Sequence, residues 1–261
     1  MRKSILYRKL FSSFDDELQI CSYLFPTSEY RSQIAENSLV IGRYSVLPHF
    51  KELEVDLKAR NSTLINSYGQ HCFVADIECW YKHIKKYTPQ TYFTWYGLPE
   101  GKYVVKGRTN SRKNLWNTHM FSENVKELKD VISKCLDDSL ISEQGVVVRE
   151  FVPLKTFGYG INGLPITEEY RTFWLDNKFV AGDYYWSEHP DFERPLPEDG
   201  VKFAQEISNI ISKYIRFFVI DIAKTANDEW IVIELNDGMM SGLGCIDASK
   251  FYLNLKDLLG V

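Results

Sequence analysis

A chain of 261 residues that is 44% hydrophobic and 15% aromatic can bury a sizeable core, which excludes disorder and accommodates one large domain or two lobes. With 31 Lys and Arg against 35 Asp and Glu, the formal net charge of -4 offers no global basic field to nucleic acid or an anionic membrane. Five cysteines, at 21, 72, 79, 135 and 245, lack metal-ligand spacing, so we expect reduced thiols in a cytoplasmic protein, with neither zinc nor a disulfide framework.

The N-terminal stretch MRKSILYRKLFSSFDDELQ is charged and lacks a signal peptide's apolar run, and no later stretch reaches the roughly 20 apolar residues of a membrane span. Residues 18–25 (LQICSYLF) and 38–42 read as short strands, 48–60 as an amphipathic helix opened by a proline, and 63–66 as a further strand. Apolar positions at Phe73, Ile77, Trp80, Tyr81 and Ile84 have helical spacing, and Pro89 ends that pattern. Then follow a strand over 102–107, a polar loop RTNSRKN, a helix over 122–137, a strand over 145–151 and a Gly-bearing loop to about residue 165. The remainder reads as strands 169–176 and 178–186 joined at Asn177, a helix over 200–213, and strands RFFVIDIAK and EWIVIELN joined at Asn227-Asp228.

Three stretches carry chemistry. Asp221 lies on one strand of the last hairpin and Glu234 and Asn236 on the other; residues two apart on a strand share a face, so three oxygen ligands converge, as a Mg-nucleotide site requires. Asp221 and Glu234 sit inside apolar runs, where a lone charge is costly unless compensated. Lys106 ends the strand YVVK and is followed by Arg108, Arg112 and Lys113, cations suited to polyphosphate oxygens, although a basic loop is also an ordinary solvated surface. The strand VVVREFVPL exits through Glu150, Phe151 and Val152, whose backbone suits an adenine edge if this is more than a buried strand. The aromatic segment GDYYWSEHPDFERP at 182–195 either borders a substrate pocket or is a strand with a capped loop.

In order and spacing, INSYGQHCFVADIECWYKHIKKYTPQT, YVVKG, VVVREFV, EEYRTFWLDNKFVAG, FFVIDIAK and IVIELND resemble the successive motifs of the ATP-grasp superfamily, from about residue 63 to 243. The chain is similar to a clade known mainly from phage and bacterial sequences and marked by extra Arg and Lys residues. The resemblance implies an α+β ATP-grasp fold, two α+β lobes clasping ATP after a small α/β lobe. Residues 1–88 would form that preceding lobe and its linker helix, 89–152 the first lobe and 153–261 the second. It implies ATP and Mg2+ as cofactors. Lys106 then reaches the phosphates, Glu150 to Val152 form the adenine hinge, and Glu169 holds the ribose. Arg171 faces the γ-phosphate or an acyl phosphate, while Asp221, Glu234 and Asn236 ligate magnesium. Where many members have an Asp-Lys pair this chain has Asp76-Ile77, so that phosphate contact is missing or is supplied by Arg108, Arg112 or Lys113. The implied reaction is a ligase reaction on a small-molecule or peptide carboxylate through an acyl phosphate. Phosphoryl or nucleotidyl transfer, and a nucleotide-binding module without turnover, are the alternatives.

Overall fold

The computed structural model describes residues 1–8, 12–139 and 141–261. In chain order its main elements are β1 (Arg2–Tyr7), α1 (Ser12–Leu24), β2 (Thr27–Ser28), β3 (Ser38–Arg43), α2 (Phe50–Lys58), β4 (Thr63–Leu64), α3 (Tyr68–Ala75), α4 (Ile77–Ile84) and β5 (Thr91–Tyr92). They continue as β6 (Tyr103–Gly107), β7 (Phe121–Ser122), α5 (Val125–Asp137), β8 (Val146–Glu150), β9 (Thr156–Tyr159), β10 (Pro165–Thr167), β11 (Glu169–Leu175) and β12 (Lys178–Tyr184). The last four are α6 (Glu198–Ile211), β13 (Phe217–Lys224), β14 (Trp230–Asp237) and α7 (Ala248–Leu259).

These strands form three larger sheets and one hairpin. The N-terminal sheet, ordered β2-β1-β3-β4, is parallel throughout. The sheet β5-β8-β6-β7 is antiparallel and backs onto α5. The central sheet, β12-β11-β13-β14, is also antiparallel, and β9 and β10 pair by themselves.

The central sheet is covered on both faces, which explains why FFVIDIAK is an almost unbroken apolar run. Phe217 and Val219 point toward the N-terminal sheet and toward Phe251 and Leu255 of α7. Phe218, Ile220 and Ile222 point the other way, onto Trp80 of α4 and Ile207 and Ile211 of α6. Full burial removes the need for alternation, so only the strand length and its flanks mark it as a strand. Asp221 shares the first of these faces with Val219 and comes where the covering by α7 stops. The β11–β12 turn has Asp176 at φ 46° and Asn177 at φ 67°, the left-handed pair that a two-residue hairpin needs to match strand twist.

Two sequence expectations are corrected. Residues 18–25 are mostly helix, the end of α1, because Glu17, Cys21 and Phe25 are buried at four-residue spacing. A short run such as LQICSYLF satisfies strand and buried-helix patterns alike. The helix expected around residues 73–87 is two helices, broken at Asp76, which has an extended backbone (φ -100°, ψ 115°) and whose side-chain Oδ1 caps α4 by accepting from Glu78 N–H at 3.0 Å. β1, the β9–β10 hairpin and α7 had not been expected.

One buried network ties the N-terminal sheet to the central one. Arg43, at the end of β3, forks onto Glu17 at 2.9–3.1 Å, and Tyr252 of α7 donates to the same carboxylate at 2.6 Å. Arg43 Nη1 also donates to Gly238 O at 2.6 Å, holding the loop that follows β14. That loop lies flat on Phe217, where a Cβ at Gly238 would come within 2.8 Å of the ring. Breaking a buried ion pair from one side strands its partner, so Glu17→Ala is expected to lower unfolding free energy by about 3–5 kcal/mol, read by urea denaturation. A loss below about 1 kcal/mol would show the network to be dispensable.

Candidate functional site

A cleft of about 620 Å³ lies between the β5-β8-β6-β7 sheet and the central sheet. Alternation along β6 and β8 builds one wall. Tyr103, Val105, Val146 and Val148 pack on α5, which leaves Val104, Lys106 and Arg149 facing the cleft. Of the residues singled out in the sequence, Lys106, Lys113, Glu150, Phe151, Val152, Glu169 and Glu234 line it, and so does Trp186 from the aromatic segment.

The apolar end of the cleft includes Val104, Met120, Phe121, Leu154 and Ile233. Trp116 and Phe121 stack at 5.9 Å with 15° between planes, at either end of a π-helical turn over Trp116–Met120. The strand exit from β8 runs beside this end. Phe151 N–H is spent on Lys102 O at 2.9 Å, whereas Val152 N–H has no partner among the described residues. An unspent donor beside an apolar slot suits the edge of a planar heterocycle.

At the other end charges alternate across the sheet. Register places Arg171 of β11 opposite Asp221 of β13, and Asp221 opposite Glu234 of β14. Arg171 forks onto Asp221 at 2.9 and 2.8 Å and donates to Gly242 O at 3.1 Å. Glu234 is ion-paired with Lys106 from the opposing sheet. Burial pushes the Glu234 carboxyl up, but Lys106, Lys113 and Arg149 outweigh it and hold the group below the usual carboxylate range. Burial dominates for Lys106, whose pKa is lowered despite Glu234 because Arg149 and Lys113 add like charge.

Asp221 and Glu234 are thus each neutralised by a basic side chain, and Asn236 follows two residues on along the same face of β14. Two carboxylates and an amide are hard oxygen donors of the kind a magnesium ion accepts. Among the described residues no group of three or more His, Cys, Asp or Glu gathers, so a cation here completes its shell from water or a bound ligand. The residues fit such an ion in donor chemistry and charge, with Arg171 and Lys106 now lying against the two carboxylates.

Glu169 is 3% exposed; its Oε1 makes no hydrogen bond among the described residues and is ion-paired with the Lys113 ammonium, while Oε2 accepts from Thr167 at 3.3 Å. Burial raises its pKa more than Lys113, 3.8 Å away, lowers it. A buried acceptor on a cleft wall is suited to hydroxyl donors from a ligand.

The basic loop divides. Lys113 enters the cleft and donates to Tyr185 Oη at 2.9 Å. Arg108 does not line it: its guanidinium is ion-paired with Asp76 and with Glu78, fastening β6 to the start of α4. Arg112 is held by Asp138 at 2.8 Å. Asp76, which stands where many ATP-grasp chains begin an Asp-Lys pair, therefore serves as a helix cap and an anchor for Arg108.

Arg149 was missed. Its guanidinium, 6% exposed, donates to Ile233 O at 2.7 Å and Thr88 Oγ1 at 2.6 Å, joining the strand before Glu150 to the strand of Glu234. Burial lowers its pKa to about 10 against the pull of Glu234. The signal was present in the sequence, because an arginine inside VVVREF is as costly a lone charge as Asp221 inside FFVIDIAK.

The chain belongs to the ATP-grasp superfamily, residues 95–255 matching the ATP-grasp domain of R2K clade family 3. No curated protein matches it by sequence. Solved structures share its fold: D-cycloserine synthetase DcsG is 12% identical with a TM-score of 0.66, covering 98% of this chain and 99% of that one. The ATP-grasp ligase PsnB, complexed with minimal precursor, Mg and ADP, is 12% identical with a TM-score of 0.57 over 98% and 96%. The D-alanine–D-alanine ligase of Bacillus anthracis complexed with ATP is 10% identical with a TM-score of 0.56 over 91% and 86%.

The strained carboxylate gives a pH prediction. An acid whose folded-state pKa lies above its unfolded value gives up stability as pH rises from the unfolded value through the folded one. Glu169 is such a group, so Glu169→Gln is expected to raise the unfolding free energy at neutral pH by on the order of 1 kcal/mol, seen as a higher melting temperature, with the gain fading toward pH 4. A Glu169→Gln variant less stable than the wild type at neutral pH would show the ionised carboxylate to be well compensated.

Proposed function

We propose that this protein is an ATP- and Mg2+-dependent ligase that joins a carboxylate to an amine through an acyl phosphate. The observation that carries the reading is the charged row Arg171–Asp221–Glu234–Lys106, whose Glu234 and Lys106 line one end of a cleft; its other end offers an apolar slot and a Val152 N–H with no partner among the described residues.

In this reading Val152 N–H takes the adenine edge, with Val104, Met120 and Ile233 against the ring, and Glu169 Oε1 accepts from the ribose hydroxyls. Asp221, Glu234 and Asn236 would hold Mg2+, which supplies charge neutralisation and orientation for the polyphosphate. With Asp221 and Glu234 holding the cation, Arg171 and Lys106, now paired with them, would be available to phosphate oxygens. Lys113 adds a third positive charge from the loop after β6. The substrate carboxylate oxygen attacks the γ-phosphorus and ADP leaves; an amine nitrogen then attacks the acyl carbon, forms the C–N bond and expels phosphate. The three cations offset charge spread over the transferring phosphoryl oxygens, so positioning and electrostatics do the chemistry and no nucleophilic side chain is called for. The substrate is a small molecule or a peptide that bears a carboxylate. No helix among the described residues is long and apolar enough to cross a membrane, and we assign the protein to the cytoplasm on its scattered cysteines.

Glu234→Gln is expected to abolish magnesium-dependent ATP binding measured by calorimetry, while the fold, read by circular dichroism, is kept. Asp221→Asn and Lys106→Ala are expected to slow ADP release about 10²- to 10³-fold when carboxylate and amine pairs are screened. Release of AMP instead of ADP would convert the reading to nucleotidyl transfer, and wild-type rates in all three variants would remove the site.

A further inference from the structure

We propose that Tyr185 is the positioning residue for the cationic side of this site, holding Lys113 and Arg171 where they meet polyphosphate; the assignment rests on the ATP-dependent reading above. Tyr185 is the first residue beyond β12, and its N–H donates to Glu169 O at 3.0 Å, which fixes the ring beside the start of β11. Arg171 Cζ lies 4.9 Å from the ring centroid. Lys113 Nζ lies 4.1 Å from the same centroid and donates to Tyr185 Oη at 2.9 Å. Trp186 meets the ring edge-on at 5.0 Å and 81°, with Lys113 4.9 Å from its own centroid.

The chemistry of the three side chains explains the arrangement. Two cations held beside one ring repel each other, and the negative face of that aromatic ring offsets part of the repulsion. A lysine ammonium on four rotatable bonds is a swinging point charge unless an acceptor fixes it, and Tyr185 Oη is that acceptor. Lys113 comes from the loop after β6 and Tyr185 from the end of β12, so the bond spans the cleft between the two sheets. The loop carrying Gly244, at φ 63°, runs beside the Tyr185 backbone, where a Cβ at Gly244 would make ordinary contact with Tyr185 O at 3.5 Å. Arg171, besides facing the ring, donates to Gly242 of that same loop at 3.1 Å.

A double-mutant cycle read by Mg-ATP calorimetry tests the assignment. Tyr185→Phe keeps the ring for Arg171 and removes only the hydroxyl. It is expected to weaken Mg-ATP binding about threefold to tenfold in the wild-type background, and less than about twofold when Lys113 is already Met, because its effect runs through Lys113. Tyr185→Leu, which also removes the face under Arg171, is expected to weaken binding further in the Lys113→Met background, where Tyr185→Phe does not. Equal losses for Tyr185→Phe in both backgrounds, or no loss in either while the wild type binds Mg-ATP, would overturn the assignment. A folded wild type that does not bind Mg-ATP at all would overturn the ATP-dependent reading and this assignment with it.

Discussion

Glu234 and Lys106 come from different sheets, yet each is the other's counter-charge across the cleft. Neither charge can be left alone there. Lys106 is 6% exposed, and an uncompensated charge at that depth is costly enough to force either a partner or neutralisation. The pair therefore joins the two walls of the cleft electrostatically. On the proposed reading, a nucleotide with its magnesium would bring one positive and several negative groups and so satisfy both side chains separately. The same logic holds one strand further in, where Arg171 and Asp221 satisfy each other. The site stores its charges as internal pairs that a charged ligand can exchange without leaving any of them buried and bare.

The rest of the structure holds that exchange in register. Antiparallel pairing sets Arg171, Asp221 and Glu234 side by side, and burial of alternate residues on both faces of the central sheet prevents the one-residue slip that would turn them away. Arg149 ties the opposing sheet to the backbone of β14 one residue before Glu234. Arg43 and Glu17 secure the loop after β14 from the N-terminal sheet. Stability and chemistry thus meet at β14, which carries the acid on one face and core on the other.

Much of this was legible from the residues. Charges inside apolar strands, Asp221 and Glu234, announce a compensated site, because burial of an unpaired acid is too costly to be incidental. The hairpins around them were legible too, since Asn177 and Asn227-Asp228 are turn chemistry. Partners were not legible. Nothing in GRTNSRKN says that Arg108 belongs to Asp76, Arg112 to Asp138 and only Lys113 to the cleft; three cations in six residues look alike until the fold supplies their acids. The helix α1 was hidden by a short apolar run that fits two periods, whereas α7 had a readable signal in Asp247 as cap, Phe251, Tyr252 and Leu255 on one face, and Gly260 at its end. Arg149 inside VVVREF carries the same signal as Asp221 inside FFVIDIAK, a charge within an apolar strand, but its acceptors Ile233 O and Thr88 Oγ1 lie on distant segments that only the fold brings near.

The measurement that goes most directly to the central claim is a crystal structure of the protein with magnesium and a non-hydrolysable ATP analogue. The account predicts the nucleotide in the cleft between the two sheets, Glu234 on the metal and Lys106 parted from Glu234 and bonded to phosphate oxygens. A nucleotide bound elsewhere, or one in the cleft with the Lys106–Glu234 pair unbroken, would contradict it.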